Sequence, residues 1–357
     1  MQNDQIIASK INQIIAEQSK DVLPDFTLHS HKELLNLDIP PMKWLVGMMI
    51  PNPGLVVISG KPGSFKTFFA LWMGIRASTN SSLFNGYDET YFCDEEAMRL
   101  KEKVPTLFVE EENTQQTMKE RVKMFQPIGQ QSVSEMFYLI DVGFKFKSEA
   151  WRAEVLRIVE EKGIKLLILD PFSSVMGLDN ENDNSEVSEV MDIIRKEFVK
   201  RDLTVILIHH PSKGDAEAKG IRGAGDILGK CDVHLSLEVE NENDKIIRVS
   251  YQKMRVADKS KVSDFRMRLA GDGLLGDSHF RYLGAAKNKS IELREEVMQE
   301  ILKCMVNDNQ YTRKEIAELC GESTTGKKFS DAWNQLIKDK KVIKDLVLKK
   351  FYKALAQ

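Results

Sequence analysis

The chain has 357 residues, of which 42% are hydrophobic and 29% charged, with a formal net charge of -3. That length suits a large core domain with a smaller second one, and the near-neutral balance excludes a whole-chain basic field for nucleic acid, so any polynucleotide contact is local. No apolar run reaches membrane-spanning length, and Met1 to Lys10 lacks a cationic segment followed by an apolar one, so no membrane role and a cytoplasmic setting are expected.

In chain order, Ile7, Ile11, Ile14 and Ile15 fall at helical spacing and predict a short amphipathic helix over residues 5 to 17. Prolines at 24, 40, 41, 51 and 53 then predict an extended connection into the core. From there strand and helix signals alternate. Strands are expected at Leu55 to Ser59, Thr106 to Val109, Phe137 to Ile140, Leu166 to Leu169 and Thr204 to Ile208, and helices over 66 to 78, 114 to 125, 149 to 161 and 186 to 200. Strands apolar on both faces and separated by helices predict an α/β fold with a mainly parallel sheet. Hairpin-like segments follow at Val233 to Glu240, Lys245 to Lys253 and Phe265 to Leu269. Residues 291 to 306, Thr312 to Leu319 and 326 to 338 read as helices, with a strand pair over 343 to 352, the order of a winged helix. The expected domains are therefore 1–39 (helix and linker), 40–288 (core) and 289–357 (small winged-helix-like domain), the last contacting a protein or duplex DNA.

The chemistry concentrates at strand ends. Gly60, Lys61, Pro62, Gly63, Ser64, Phe65, Lys66 and Thr67 join the first core strand to an apolar helix and read as a phosphate-binding loop. Such a loop aims backbone N–H groups and a helix N-terminus at phosphate oxygens; Lys66 would reach the β- and γ-phosphates of ATP and Thr67 would ligate Mg²⁺. Phe65 stands where the motif formula asks for glycine, and its Cβ crowds the phosphates unless its dihedrals are ordinary. Asp170 closes an apolar strand and can hold the Mg²⁺ shell. Three acids, Glu110, Glu111 and Glu112, leave the neighbouring strand, and spacing does not choose which one faces an attacking water. His209 and His210 end another strand, where either could sense the γ-phosphate. Lys253 and Arg255 lie two apart on a strand, hence on one face. Cys93, Cys231, Cys304 and Cys320 show no C-x-x-C spacing and are expected to be buried free thiols.

With these strand tips in this order, residues 40 to 260 resemble the RecA-like ATPases, and within them the RepA-type hexameric replicative helicases related to DnaB. The specific part is Asp170-Pro171-Phe172-Ser173-Ser174, then Asp179-Asn180-Glu181-Asn182-Asp183-Asn184, then the histidine pair ahead of Ile221-Arg222-Gly223-Ala224-Gly225. The resemblance implies a RecA-like core in which Glu112 activates water and Lys253 with Arg255 reaches the γ-phosphate of a neighbouring subunit. It also implies that the loop from Ser212 to Gly223, with Lys213, Lys219 and Arg222, faces the pore of a homo-hexamer and meets single-stranded DNA. The implied activity is ATP-driven DNA unwinding in replication. The alternatives are a KaiC- or RadA-like regulatory or recombination ATPase, and an ATP-binding DNA-binding regulator with little turnover.

Overall fold

The computed structural model describes residues 27–84, 103–125, 135–178, 183–210, 227, 229–271, 273, 276–287, 289–305, 309–321, 323, 325–345 and 350–353. The expected helix over 5 to 17 and the expected pore-facing loop lie outside them. Residues 1–41 form one compact unit, whose described part holds a single turn, α1 (His31–Leu35). Its capping box runs both ways: Glu33 N–H donates to Ser30 Oγ (3.3 Å) and Ser30 N–H to Glu33 Oε2 (2.7 Å).

Residues 42–357 form the second unit. The stretch expected to be extended instead folds back as an antiparallel pair, β1 (Lys43–Val46) with β2 (Ile50–Asn52), before the chain enters β3 (Gly54–Ser59). Then come α2 (Lys66–Ser78), β4 (Thr106–Glu110), α3 (Gln115–Phe125), β5 (Met136–Ile140), α4 (Glu149–Lys162) and β6 (Leu166–Asp170). A short α5 (Phe172–Met176), not foreseen, precedes α6 (Asn184–Ile193). The latter continues as a π turn over Ile194–Phe198 and a 3-10 turn over Val199–Arg201, where one regular helix was expected. After β7 (Thr204–His209) the chain adds β8 (Val233–Asn241), β9 (Ile246–Met254), β10 (Phe265–Ala270) and β11 (His279–Ala285). The last strand was missed because its alternation of buried Phe280 and Tyr282 with exposed Arg281 and Leu283 spans few residues.

These nine strands form one sheet in the order β11-β10-β9-β8-β3-β7-β6-β4-β5. Pairing is parallel from β8 through β3, β7, β6 and β4 to β5, and antiparallel from β8 to β11. The mainly parallel α/β expectation is therefore met, with an antiparallel extension on one side. Strand periodicity explains the two layers of core. Val56, Ile58, Phe108, Leu166, Ile168, Ile206 and Ile208 face one apolar cluster, shared with α2. Their neighbours Leu55, Val57, Leu107, Val109, Leu167, Leu169, Val205 and Leu207 face the other, with residues of α4, α5 and α6. Each of these buried apolar side chains contributes about 1.5–3 kcal/mol. All the parallel strands consequently end along one edge of the sheet, where ligands of open α/β sheets bind.

Beyond β11, α7 (Lys289–Cys304), α8 (Arg313–Leu319) and α9 (Lys327–Lys338) are followed by β12 (Val342–Lys344), which pairs antiparallel with β13 (Phe351–Lys353). They enclose their own core of Ile301, Met305, Ile316, Phe329, Trp333 and Leu336. Thr312 caps α8 through the capping box with Glu315 read from the sequence. Cys231 is buried and unbridged as expected, whereas Cys304 and Cys320 are only half-buried; Cys93 lies outside the described residues. Among the described residues no helix is long and apolar enough to cross a membrane.

Candidate active site

Gly60 can begin the loop after β3 only as glycine: a Cβ there would lie 2.4 Å from the Leu237 carbonyl oxygen and 2.4 Å from Ser64 Oγ. Gly63 takes φ +81°, in open space. Lys61 and Pro62 are exposed, Ser64 is buried, and Phe65 turns the chain with φ 63° and ψ 22°. The dihedrals at Phe65 are therefore left-handed, not the ordinary ones that would spare a side chain the crowding expected from the sequence. Phe65 is also the N-cap of α2 and offers no capping oxygen, so the first amides of that helix stay open to an anion.

Lys66, the first helical residue, is 3% exposed. Its Nζ donates to the carbonyl oxygens of Gly60 (2.6 Å) and Lys61 (2.9 Å) and reaches Ser64 Oγ at 3.5 Å. Burial pushes its ammonium down to about 8, while Asp170 and Glu112 hold it up. At neutral pH it stays charged.

Across the sheet edge, Glu110 and Asp170 stand opposite each other in the β4–β6 register, 0% and 1% exposed. Neither Asp170 oxygen has a hydrogen bond of good geometry, and Glu110 Oε2 has none either. Burial first, then the Glu110 charge, pushes the Asp170 carboxyl up to about 7; Thr67 and Lys66 oppose the shift and Glu112 adds to it. Two buried, unpartnered carboxylate oxygens beside the Thr67 hydroxyl form an all-oxygen donor set that fits a hard divalent cation such as Mg²⁺. Among the described residues there is no group of three or more His, Cys, Asp and Glu placed to hold a metal ion.

The three acids separate by task. Glu110, not singled out from the sequence, accepts from the N–H groups of Glu112 (2.9 Å) and Asn113 (2.9 Å) and from Asn113 Nδ2 (3.0 Å), fixing the loop after β4. Glu111 turns away and accepts from the N–H groups of Val142 (3.1 Å) and Gly143 (3.0 Å). Glu112 is left exposed, with its Oε2 3.7 Å from His210 Nε2, and its charge acts on Lys66, Asp170 and His210. The triple-acid run held the signal for Glu110, but only the loop geometry distinguishes the three.

His209 is the last residue of β7, its ring edge-on to Phe172 (5.6 Å between centroids), and its Nε2 has no partner. Burial pushes its imidazole down to about 4, helped by His210 and Lys66, so it is neutral at neutral pH. His210 is pushed down by burial and by Lys66, with Glu112 opposing. A third histidine, not identified from the sequence, completes the row: His234 on β8 shares a 2.7 Å hydrogen bond with Ser59 Oγ at the end of β3. Its imidazole is pushed down to about 4 by burial, then by His209 and Lys253. The alternation Val233-His234-Leu235-Ser236 carries the hint, placing His234 and Ser236 on one face, but only strand order sets that face beside Ser59 and Lys253. Lys253 lies on β9, but the strand ends at Met254 and Arg255 is just beyond it rather than two apart on one strand face as expected; both nonetheless donate to the Gly229 carbonyl oxygen, Lys253 Nζ at 2.9 Å and Arg255 through Nη2. The structure thus brings Lys66, Thr67, Glu112, Asp170, His209 and His210 together, and sets Lys253 opposite His234 on the next strand, with Arg255 just past that strand's end.

The profile of the family described as AAA domain matches residues 24–216, and the chain belongs to that family. No curated protein matches the chain in sequence. Among solved structures, a DnaB-like replicative helicase, whose report also describes its interactions with primase, superposes with a TM-score of 0.50 at 12% identity, covering 76% of this chain and 71% of that one. A KaiC-like protein from the hyperthermophilic archaeon Pyrococcus horikoshii aligns at 14% identity over 67% of this chain and 99% of its own, with a TM-score of 0.44. The family is that of the AAA domain, which implies nucleotide binding, and the fold is like that of the DnaB-like replicative helicase.

Proposed function

We propose that the chain is a Mg²⁺-dependent ATP hydrolase that assembles as a homo-oligomeric ring and moves along a single DNA strand as a helicase. The observation that carries this reading is the convergence of Asp170, Glu112 and the two strand-end histidines on the buried Lys66 ammonium. Lys66 exchanges the Gly60 and Lys61 carbonyls for β- and γ-phosphate oxygens, and the open amides of α2 receive the remaining charge. Thr67 and Asp170 would hold Mg²⁺, which when bound neutralises the charge developing between the β- and γ-phosphates. Glu112 takes the proton of the attacking water, positioned by the Glu110 contacts to its own N–H and to Asn113. Neutral His209 or His210 reads the γ-phosphate through a hydrogen bond. Lys253 and Arg255 leave Gly229 to act on a neighbouring subunit's nucleotide, where guanidinium charge stabilises the transferring phosphoryl group.

The test is steady-state turnover of wild type and Glu112→Gln, with nucleotide binding followed by calorimetry. Glu112→Gln is expected to lose about 10²–10⁴-fold in kcat while still binding Mg²⁺–ATP. Equal and negligible rates for both would remove the hydrolase reading. Mass in solution with ATP and single-stranded DNA addresses the ring, and a duplex-unwinding assay separates a helicase from a regulatory or recombination ATPase. A monomer under every condition would remove the trans role of Arg255.

A further inference from the structure

From Lys327 to Lys353 the sequence carries nine lysines against three aspartates, in a chain whose formal net charge is -3. The excess is segregated in space as well as in sequence. On α9, Phe329, Ala332, Trp333 and Leu336 are buried, with Phe329 and Trp333 stacked at 5.9 Å. The opposite stripe, Lys327, Lys328, Asp331, Asn334 and Lys338, is exposed, and after exposed Asp339 come exposed Lys340 and Lys341. None of these five lysines has an ion-pair partner among the described residues. Several acids of the same unit pair elsewhere: Glu292 with Arg266 (3.0 Å), Glu295 with Lys287 (2.7 Å) and Glu318 with Lys314 (3.7 Å). What remains is a band along one helix and the turn after it in which five exposed lysines outnumber two exposed aspartates, Asp331 and Asp339.

The neighbouring helix is set rigidly against this one. Arg313, which opens α8, donates from Nη2 to Ser330 Oγ (2.7 Å) and lies over the Phe329 ring at 5.8 Å. A helix held this way, cationic at both ends with the short polar side chains Asp331 and Asn334 between, matches a DNA major groove. The groove admits one helix and flanks it with two phosphate backbones.

We propose that α9 and the turn after it dock a DNA duplex, Lys327 and Lys328 contacting one phosphate backbone and Lys338, Lys340 and Lys341 the other. This site is separate from the ATPase core and from any single strand it holds, and it does not rest on the proposed hydrolysis. The test is fluorescence anisotropy of the full chain, without nucleotide, on a labelled duplex of about 20 base pairs across about 50–200 mM salt. Wild type is expected to bind with a steep salt dependence. Lys327→Gln/Lys328→Gln should bind about tenfold more weakly, with a log–log salt slope shallower by about 2. Lys338→Gln/Lys341→Gln should do the same independently. Each pair should keep wild-type ATP turnover and circular dichroism, since these side chains are exposed and distant in sequence from the strand-end groups. Absence of duplex binding by wild type at the lowest salt, as a protein-docking face would give, overturns the proposal. So does binding with an unchanged slope in both paired variants, which would assign the duplex contact to the core.

Discussion

Phe65 holds a left-handed conformation that costs a non-glycine residue about 1–2 kcal/mol, yet its ring is partly buried and packs edge-on to Phe68 at 6.1 Å. Strain and packing therefore oppose each other at one residue. Phe65→Gly removes the strain but loses the ring and adds about 0.5–1 kcal/mol of unfolded-chain freedom, so its stability should stay within about 1 kcal/mol of wild type. Phe65→Ala keeps the strain and loses the ring, and should be less stable by about 1–3 kcal/mol. Urea denaturation of the three proteins checks the order; an alanine variant as stable as wild type would show that the ring contributes nothing. A glycine variant that also hydrolyses ATP much faster would show that the Cβ hinders the phosphates.

Among the strands, the pairing of β8 with β3 puts a histidine where the sheet edge is dry. Both His209 and His234 sit at about 4, below the ordinary 6.5, so the folded chain excludes protons that the unfolded chain takes up. The contribution of these two histidines to stability should therefore fall as pH drops from about 6.5 to about 4, opposed by Asp170, whose carboxyl, raised to about 7, takes up a proton more readily in the folded chain than in the unfolded one. His234→Gln keeps a polar partner for Ser59 and removes one of the two protons, so its acid limb should be shallower than that of wild type. Thermal melts between pH 4 and 7.5 read this directly. Superimposable curves would mean that His234 is not the buried, proton-excluding group described here.

At the scale of the whole molecule, the antiparallel extension of the sheet is tied to α7 by a charge network centred on Arg248, which is 1% exposed. Its Nε donates to Glu240 Oε1 (2.7 Å) and its Nη1 to the Lys287 carbonyl oxygen (2.6 Å), while Glu292 of α7 pairs with it through Nη2. Arg266 bridges Glu240 and Glu292 from the next strand. Removing the central cation leaves Glu240 and Glu292, 28% and 21% exposed, with Arg266 alone and the Lys287 carbonyl without its donor, and Arg248→Met is expected to cost about 1–3 kcal/mol in chemical denaturation. Arg248→Met combined with Glu240→Gln and Glu292→Gln should recover part of that loss. If the single variant lost less than about 1 kcal/mol, the network would be a solvated surface cluster rather than a tie.

The chain's own order of residues determined the architecture to a large extent. Strands such as Leu166-Leu167-Ile168-Leu169, apolar on both faces, can only be central and parallel, and the loop from Gly60 to Thr67 needs no tertiary information to be read as an anion cradle. The same local logic located Asp170, His209 and His210, because a polar residue ending an apolar strand must emerge at the sheet edge. What sequence periodicity does not hold is distance across strands. Only the register of β4 against β6 makes Glu110 and Asp170 a buried pair, and only the loop after β4 sends Glu111 one way and Glu112 another. His234 reaches Ser59 across 175 positions of sequence, and the lysines of α9 are gathered on one exposed stripe because folding buries the opposite helical face. Periodicity and propensity act over a few neighbouring residues, whereas desolvation and charge pairing depend on which strands and helices come to lie side by side.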